Sequence, residues 1–170
     1  AAPIAGLAFY TFAKANAAFF ALPERPFTGE MLAPPPYDPA KPTVVIIASN
    51  NGTEITDLLA PYEVFATSGA FNVYTVAPKR EFTPFMWGGV DLMPHYSFAE
   101  LDQLLGKNPD VVVIPFIKDY ENQEIIQWIR NHAGPQTITV SICGGALVLA
   151  GTGLVDQGKV TSHQGVFPLL

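Results

Sequence analysis

The sequence has little cysteine and little positive charge, and each shortage excludes a class of protein. Its 170 residues include a single cysteine, Cys143, so the chain can form neither an internal disulfide nor a cysteine-based zinc site. Nine lysines and arginines stand against 15 aspartates and glutamates, without any basic run, so a nucleic acid is not expected as a partner. The three histidines are widely spaced, and no HxxxH pair or acidic cluster supports a metal site. We expect no metal and no other cofactor.

The first 42 residues differ from the rest in proline content. They hold eight of the sixteen prolines, and so many prolines within 23–42 predict an extended linker. Residues 1–22 are largely apolar, carry one charge, Lys14, and are about as long as a membrane-spanning helix, which needs roughly 20 residues. Because they are rich in alanine and carry a central charge, a helix packed on the protein or on a partner chain fits equally well. Membrane-associated and cytoplasmic locations both stay open.

From residue 43 onwards, short apolar runs alternate with helical patterns. The runs are rich in β-branched residues, which is typical of strands that are buried on both faces. The predicted strands are 43–48, 71–77, 110–116 and 137–142. Helices are predicted at 61–69, from near Ser97, at 122–134 and directly after the last of these strands. The alternation predicts one α/β domain over 43–170, a flavodoxin-like, doubly wound parallel sheet with helices on both faces.

The single cysteine directly follows the fourth predicted strand. It is followed by Gly144 and Gly145 and then by a short helix, which is the order of a nucleophile elbow. Ligands of such folds bind at the carboxyl ends of the strands. We expect the helix start to lower the pKa of the Cys143 thiol, and the Gly144 N–H to serve as an oxyanion donor. The alternative is that Cys143 is a small buried apolar residue.

A histidine near the end of the chain is a candidate partner for this cysteine. Residues 159–163 (KVTSH) predict another short strand, whose carboxyl end would emerge at the same edge of the sheet. Since one helix and this strand separate the two side chains, Cys143 and His163 could meet as a Cys–His pair. His95, in a loop after a proline, and His132, in the last turn of a helix, are interpreted as structural.

Three motifs carry a resemblance to a known family. S-I-C-G-G-A followed by G-L-V-D-Q-G-K-V-T-S-H resembles the nucleophile and histidine segments of the ThiJ/PfpI superfamily, whose fold is that of class I glutamine amidotransferases. T-D-L-L-A-P-Y-E-V-F (56–65) resembles a helix start in the branch of isonitrile hydratases and the amidase-like domains of GlxA-type regulators. L-M-P-H-Y-S-F resembles a connecting loop of that branch. The similarity extends over residues 43–170.

The resemblance implies roles for individual residues. It makes Cys143 the nucleophile and Asp57 the acid that faces it and shares its proton; the alternative for Asp57 is a helix cap. Where many relatives have Pro-Gly-Gly, to present N–H groups to a substrate oxygen, this chain has Pro-Phe-Ile. An N–H at Phe116 or Ile117 could still serve, while the side chains narrow the site. Glu63 matches a family glutamate that we interpret as structural.

Two classes of function follow. One is a cofactor-independent cysteine enzyme, a hydratase, hydrolase or aldehyde-modifying enzyme that acts on a small electrophilic substrate. The other is a non-catalytic ligand-sensing, redox-sensing or interaction domain on the same fold, in which Cys143 binds or is oxidised without turnover and residues 1–22 could serve as a membrane anchor. The chain stops seven residues after His163, where relatives continue, so we expect either a fragment or a second polypeptide that completes the sheet. By analogy with relatives we expect a homodimer.

Overall fold

The computed structural model describes residues 33–155, 159 and 161–170. The predicted apolar helix at 1–22 and the first part of the linker lie outside these residues. Among the helices that are described, none is long and apolar enough to cross a membrane. The last part of the linker, 33–42, has no regular secondary structure and is hydrogen-bonded to the sheet through Asn72.

A five-stranded parallel sheet forms the centre of the domain, in the order β5-β2-β1-β6-β7. Its strands are β1 (Thr43–Ile47), β2 (Asn72–Ala77), β5 (Tyr96–Ser97), β6 (Val111–Ile114) and β7 (Ile138–Ser141). A small antiparallel hairpin, β3 (Thr83–Pro84) and β4 (Asp91–Leu92), lies outside it. Every residue of β1, β2 and β6 is buried, as expected for β-branched strands that are covered on both faces.

Helices cover both faces of this sheet. They are α1 (Ile55–Ser68), α2 (Phe98–Leu105), α3 (Gln123–His132) and α4 (Gly145–Gly151), followed by a 3-10 turn at Phe167–Leu169. One core contains the inward residues of α1, and the other contains those of α2, α3 and α4. The predicted parallel α/β fold with helices on both faces is therefore confirmed.

Helix α1 begins six residues earlier than predicted, at Ile55 rather than at Pro61. Glu54 is its N-cap, and its carboxylate accepts a hydrogen bond from the N–H of Asp57. Pro61 consequently lies inside the helix, where it cannot donate a hydrogen bond to the carbonyl of Asp57. The prediction was wrong because it gave the proline the position that proline most often takes at a helix start.

The strand predicted at 159–163 is also not formed in the residues that are described there. Residue 159 and residues 161–163 have no strand pairing, and β7 is the edge strand of the sheet in the part of the chain that the structure describes. The segment KVTSH offers only one apolar residue, so pairing it with β7 would bury little apolar surface. Instead, Ser162 lies beside the turn that follows β7, where its hydroxyl donates to the carbonyl oxygen of Cys143 at 2.6 Å.

Candidate functional site

Cys143 occupies a strained turn at the carboxyl end of the sheet. It lies between β7 and α4, and it is the one non-glycine residue with a positive φ, 52°, in the part of the chain that the structure describes. Its side chain is partly buried. A Cβ on Gly145 would lie 2.0 Å from the carbonyl oxygen of Ile114, so only glycine lets α4 begin this close to β6. The glycine at the start of α4 therefore has a steric cause.

Phe116 closes one side of this turn. A Cβ on Gly144 would lie 2.3 Å from the Phe116 ring, so the ring packs directly against the glycine backbone. The N–H of Phe116, one of the predicted substrate donors, is donated to Oδ2 of Asp57 at 3.2 Å. The other predicted donor residue, Ile117, is fully buried and forms a bridge with Thr53. The Pro-Phe-Ile corner thus holds the Asp57 carboxyl group through the Phe116 N–H and packs the Phe116 ring against the residue that follows Cys143.

Asp57 faces Cys143 from the first turn of α1. Its carboxyl group lies close enough to the thiol for each group to act on the pKa of the other. Because Glu54 caps the helix, Asp57 is not its N-cap, and its carboxyl group is directed towards Phe116 and Cys143 instead. The structure thus brings together the two residues to which the family resemblance gave the nucleophile and acid roles, and those roles stay predictions.

The surroundings raise the pKa of both members of this pair. Burial raises the pKa of Asp57, and the neighbouring charge of Glu54 adds to it, against the hydrogen bond from the Phe116 N–H. Burial also raises the pKa of the Cys143 thiol, together with the carboxyl groups of Asp57 and Glu54, while the Gly144 N–H lowers it. The expected lowering of the thiol pKa is therefore wrong, because burial and two carboxyl groups outweigh one backbone donor.

Glu54 is a site residue that the sequence interpretation missed. Its Oε2 accepts from the N–H of Asp57 at 2.8 Å and from the hydroxyl of Thr56 at 2.6 Å. Burial acts to raise the pKa of Glu54, but these hydrogen bonds together outweigh burial, so the pKa of Glu54 is lowered. Glu54 is therefore the acid of the site that is negatively charged. A helix start placed at Ile55 rather than Pro61 would have identified this acid as the cap three residues before Asp57.

Two of the three histidines make hydrogen bonds with groups other than Cys143. The His163 ring is exposed, and its Nδ1 accepts a hydrogen bond from the N–H of Gly165 at 3.2 Å, so its predicted pairing with Cys143 stays a prediction. His132 bonds the carbonyl oxygen of Trp128 and an oxygen of Asp102, a structural arrangement at the end of α3. Among the residues that the structure describes, no group of three or more His, Cys, Asp or Glu side chains is placed to hold a metal ion.

The sequence of this chain matches a protein family and a curated protein. Residues 42–170 match the DJ-1/PfpI family. The chain is 28% identical over 119 residues to an isonitrile hydratase of Pseudomonas putida, an alignment that covers 67% of this chain and 49% of the relative. The chain therefore spans about half the length of the curated relative that it matches.

Solved structures show the same fold. DJ-1 of Schizosaccharomyces pombe has a TM-score of 0.61 at 20% identity, covering 75% of this chain and 70% of that one. A two-domain protein of Anabaena variabilis, with DJ-1/ThiJ/PfpI-like and ferritin-like domains, has a TM-score of 0.63 at 19% identity. That match covers 74% of this chain and 36% of the larger protein. At these identities the similarity is one of fold.

Proposed function

Because this chain belongs to the DJ-1/PfpI family, we propose that it is a cysteine-dependent, cofactor-independent enzyme that hydrates or hydrolyses a small electrophilic substrate. The observation that carries the proposal is the placement of the Asp57 carboxyl group, held by the Phe116 N–H, next to the Cys143 thiol at the carboxyl edge of the sheet. The similarity to an isonitrile hydratase supports an isonitrile as the first substrate to test.

In the proposed reaction the Cys143 sulfur forms a bond to the terminal carbon of the isonitrile, while its proton passes to Asp57. Asp57 returns the proton to that carbon, which leaves a thioimidate on the cysteine. Water then adds to the same carbon, the carbon–sulfur bond breaks, and the sulfur takes back a proton as an N-substituted formamide leaves. One isonitrile and one water give one formamide, so the step needs no oxidant or reductant. The raised pKa of Asp57 suits a group that both accepts and donates the proton.

The charge of Glu54 and the position of the Phe116 ring restrict the range of substrates further. Glu54 is negatively charged beside the thiol, so an anionic substrate would be repelled from it. The Phe116 ring packs against the backbone of Gly144, the residue after Cys143, so we expect it to limit the width of the reacting group. A neutral, slender electrophile, of which a primary isonitrile is an example, fits both features.

The test is conversion of a small alkyl isonitrile to its formamide, followed by mass spectrometry. We expect turnover by the native chain, none with Cys143→Ser, and a loss of roughly 100-fold or more with Asp57→Asn, the usual size of a general acid–base contribution. Glu63→Gln is the matched control, because Glu63 is an exposed acid on the same helix. Equal rates for the native chain and Cys143→Ser would disprove the proposal.

The close packing of Phe116 favours a second candidate, a ligand-binding domain in which Cys143 reacts without turnover. In that case, the intact mass of the protein would increase by one equivalent of isonitrile and stay increased, and no formamide would accumulate. Intact-mass spectrometry during the same reaction separates the two functions.

A further inference from the structure

Three hydrogen bonds close a ring between the start of α1 and the end of β6. The Glu54 N–H donates to the carbonyl oxygen of Phe116 at 2.8 Å. The Phe116 N–H donates to Oδ2 of Asp57 at 3.2 Å, and the Asp57 N–H donates to Oε2 of Glu54 at 2.8 Å. Each of the three residues donates once and accepts once, so a shift of Glu54 would move the carboxyl group that faces Cys143.

From this ring we infer that Glu54 is a positioning residue for the Asp57–Cys143 pair: it orients Asp57 through the ring, and its negative charge opposes the loss of the one proton that the pair shares. The inference rests on the proposed nucleophilic role of Cys143. It assigns to Glu54 a task beyond capping α1, because a cap alone needs only an acceptor oxygen and no charge.

The groups around the pair support this division of roles. Helix α1 presents the Glu54 carboxylate, the end of β6 presents the neutral Phe116 N–H, and the turn before α4 presents the Gly144 N–H. Glu54 and Asp57 are the charged groups that act on the thiol in the described part of the chain, and Glu54 is the one whose pKa is lowered. Because the Glu54 carboxylate is negatively charged, it makes loss of the proton shared by Asp57 and Cys143 less favourable. The thiolate therefore forms at a higher pH than it would without Glu54.

Two neutral replacements of Glu54 separate the effect of its charge on the thiol from its effect as the helix N-cap. Glu54→Gln keeps an acceptor oxygen at similar reach, and Glu54→Ser keeps a good N-cap with a short side chain. The measurement is the rate of Cys143 alkylation by iodoacetamide against pH, with circular dichroism to verify folding. Glu100→Gln is the matched control, since Glu100 also bonds the backbone at a helix start, in the capping box of α2.

We expect the alkylation midpoint to fall by about half a pH unit in both Glu54 variants, as for one screened charge at close range, and to stay unchanged in Glu100→Gln. Folded Glu54→Gln and Glu54→Ser proteins with the native midpoint would overturn the inference, even if isonitrile were turned over. A lowered midpoint without any turnover by the native chain would support the inference and refute the proposed enzymatic function.

Discussion

At the scale of single residues, the candidate site contains backbone strain at Cys143. A left-handed backbone costs an L-residue roughly 1–2 kcal/mol, and Cys143 adopts it with a φ of 52°. The hydrogen bond from the Gly145 N–H to the carbonyl oxygen of Ile142, at 2.8 Å, and that from Ser162 hold the turn in this shape. Since glycine would form this turn without strain, a cysteine here is a cost in stability that the fold itself does not require.

The first prediction compares two substitutions that both remove the thiol. Cys143→Gly should raise the free energy of unfolding above that of Cys143→Ala by about 1 kcal/mol, because only alanine keeps a Cβ in the left-handed conformation. Urea unfolding of both variants measures the difference. Alanine and glycine variants of equal stability would show that the turn is not strained. Neither variant should convert isonitrile.

At the scale of secondary structure, the sequence predicted those strands and helices whose signals lie within a few neighbouring residues. The β-branched runs identified β1, β2, β6 and β7, and the Ser97 cap identified α2, because burial and capping leave signals within a few residues. The start of α1 was missed, since Pro61 is a start signal that this helix places in its interior. The strand predicted at 159–163 is not formed at residues 159 and 161–163, because a short β-branched pattern does not supply the apolar surface that pairing would bury.

The same distinction holds for the candidate site. Cys143 was found from its place between a strand and two glycines, and Asp57 from a motif, although 86 residues separate them along the chain. The role of Phe116 in positioning Asp57, and the presence of Glu54 beside the thiol, come from contacts between α1 and the end of β6. Contacts between distant segments follow from packing in three dimensions, so local sequence pattern cannot reveal them.

The junction between β6 and α4 supports the second prediction. Gly145→Ala should lower the free energy of unfolding by roughly 3 kcal/mol or more, because the new Cβ would lie 2.0 Å from the Ile114 carbonyl oxygen, which cannot move without disturbing β6. Gly151→Ala, at the other end of α4, is the control: its Cβ meets the flexible end of Ile126 at 2.9 Å. Denaturant unfolding should give a change below about 1 kcal/mol for this control. Similar losses in both variants would contradict the steric argument.

At the scale of the whole molecule, the α/β domain includes part of the segment that precedes its first strand. Asn72, at the start of β2, is buried and accepts a hydrogen bond from the Asp38 N–H. Its amide nitrogen donates to the carbonyl oxygens of Asp38 and Lys41 and to the hydroxyl of Thr43. Tyr37 packs against the core on the side of α2 and α3. The Asn72 side chain thus links the proline-rich segment 33–42 to the amino-terminal ends of β1 and β2 through hydrogen bonds.

The last prediction follows from this arrangement. Asn72→Ala should lower the free energy of unfolding by about 2 kcal/mol, because it leaves several polar groups of the segment without their partner. It should also release the segment, so that limited chymotrypsin treatment cleaves after Tyr37 faster than in the native chain, with mass spectrometry to identify the fragment. Asn51→Ala, which changes an exposed asparagine, is the control. If Asn72→Ala lowered stability without faster cleavage after Tyr37, Asn72 would be stabilising β2 alone, and 33–42 would be held by the packing of Tyr37.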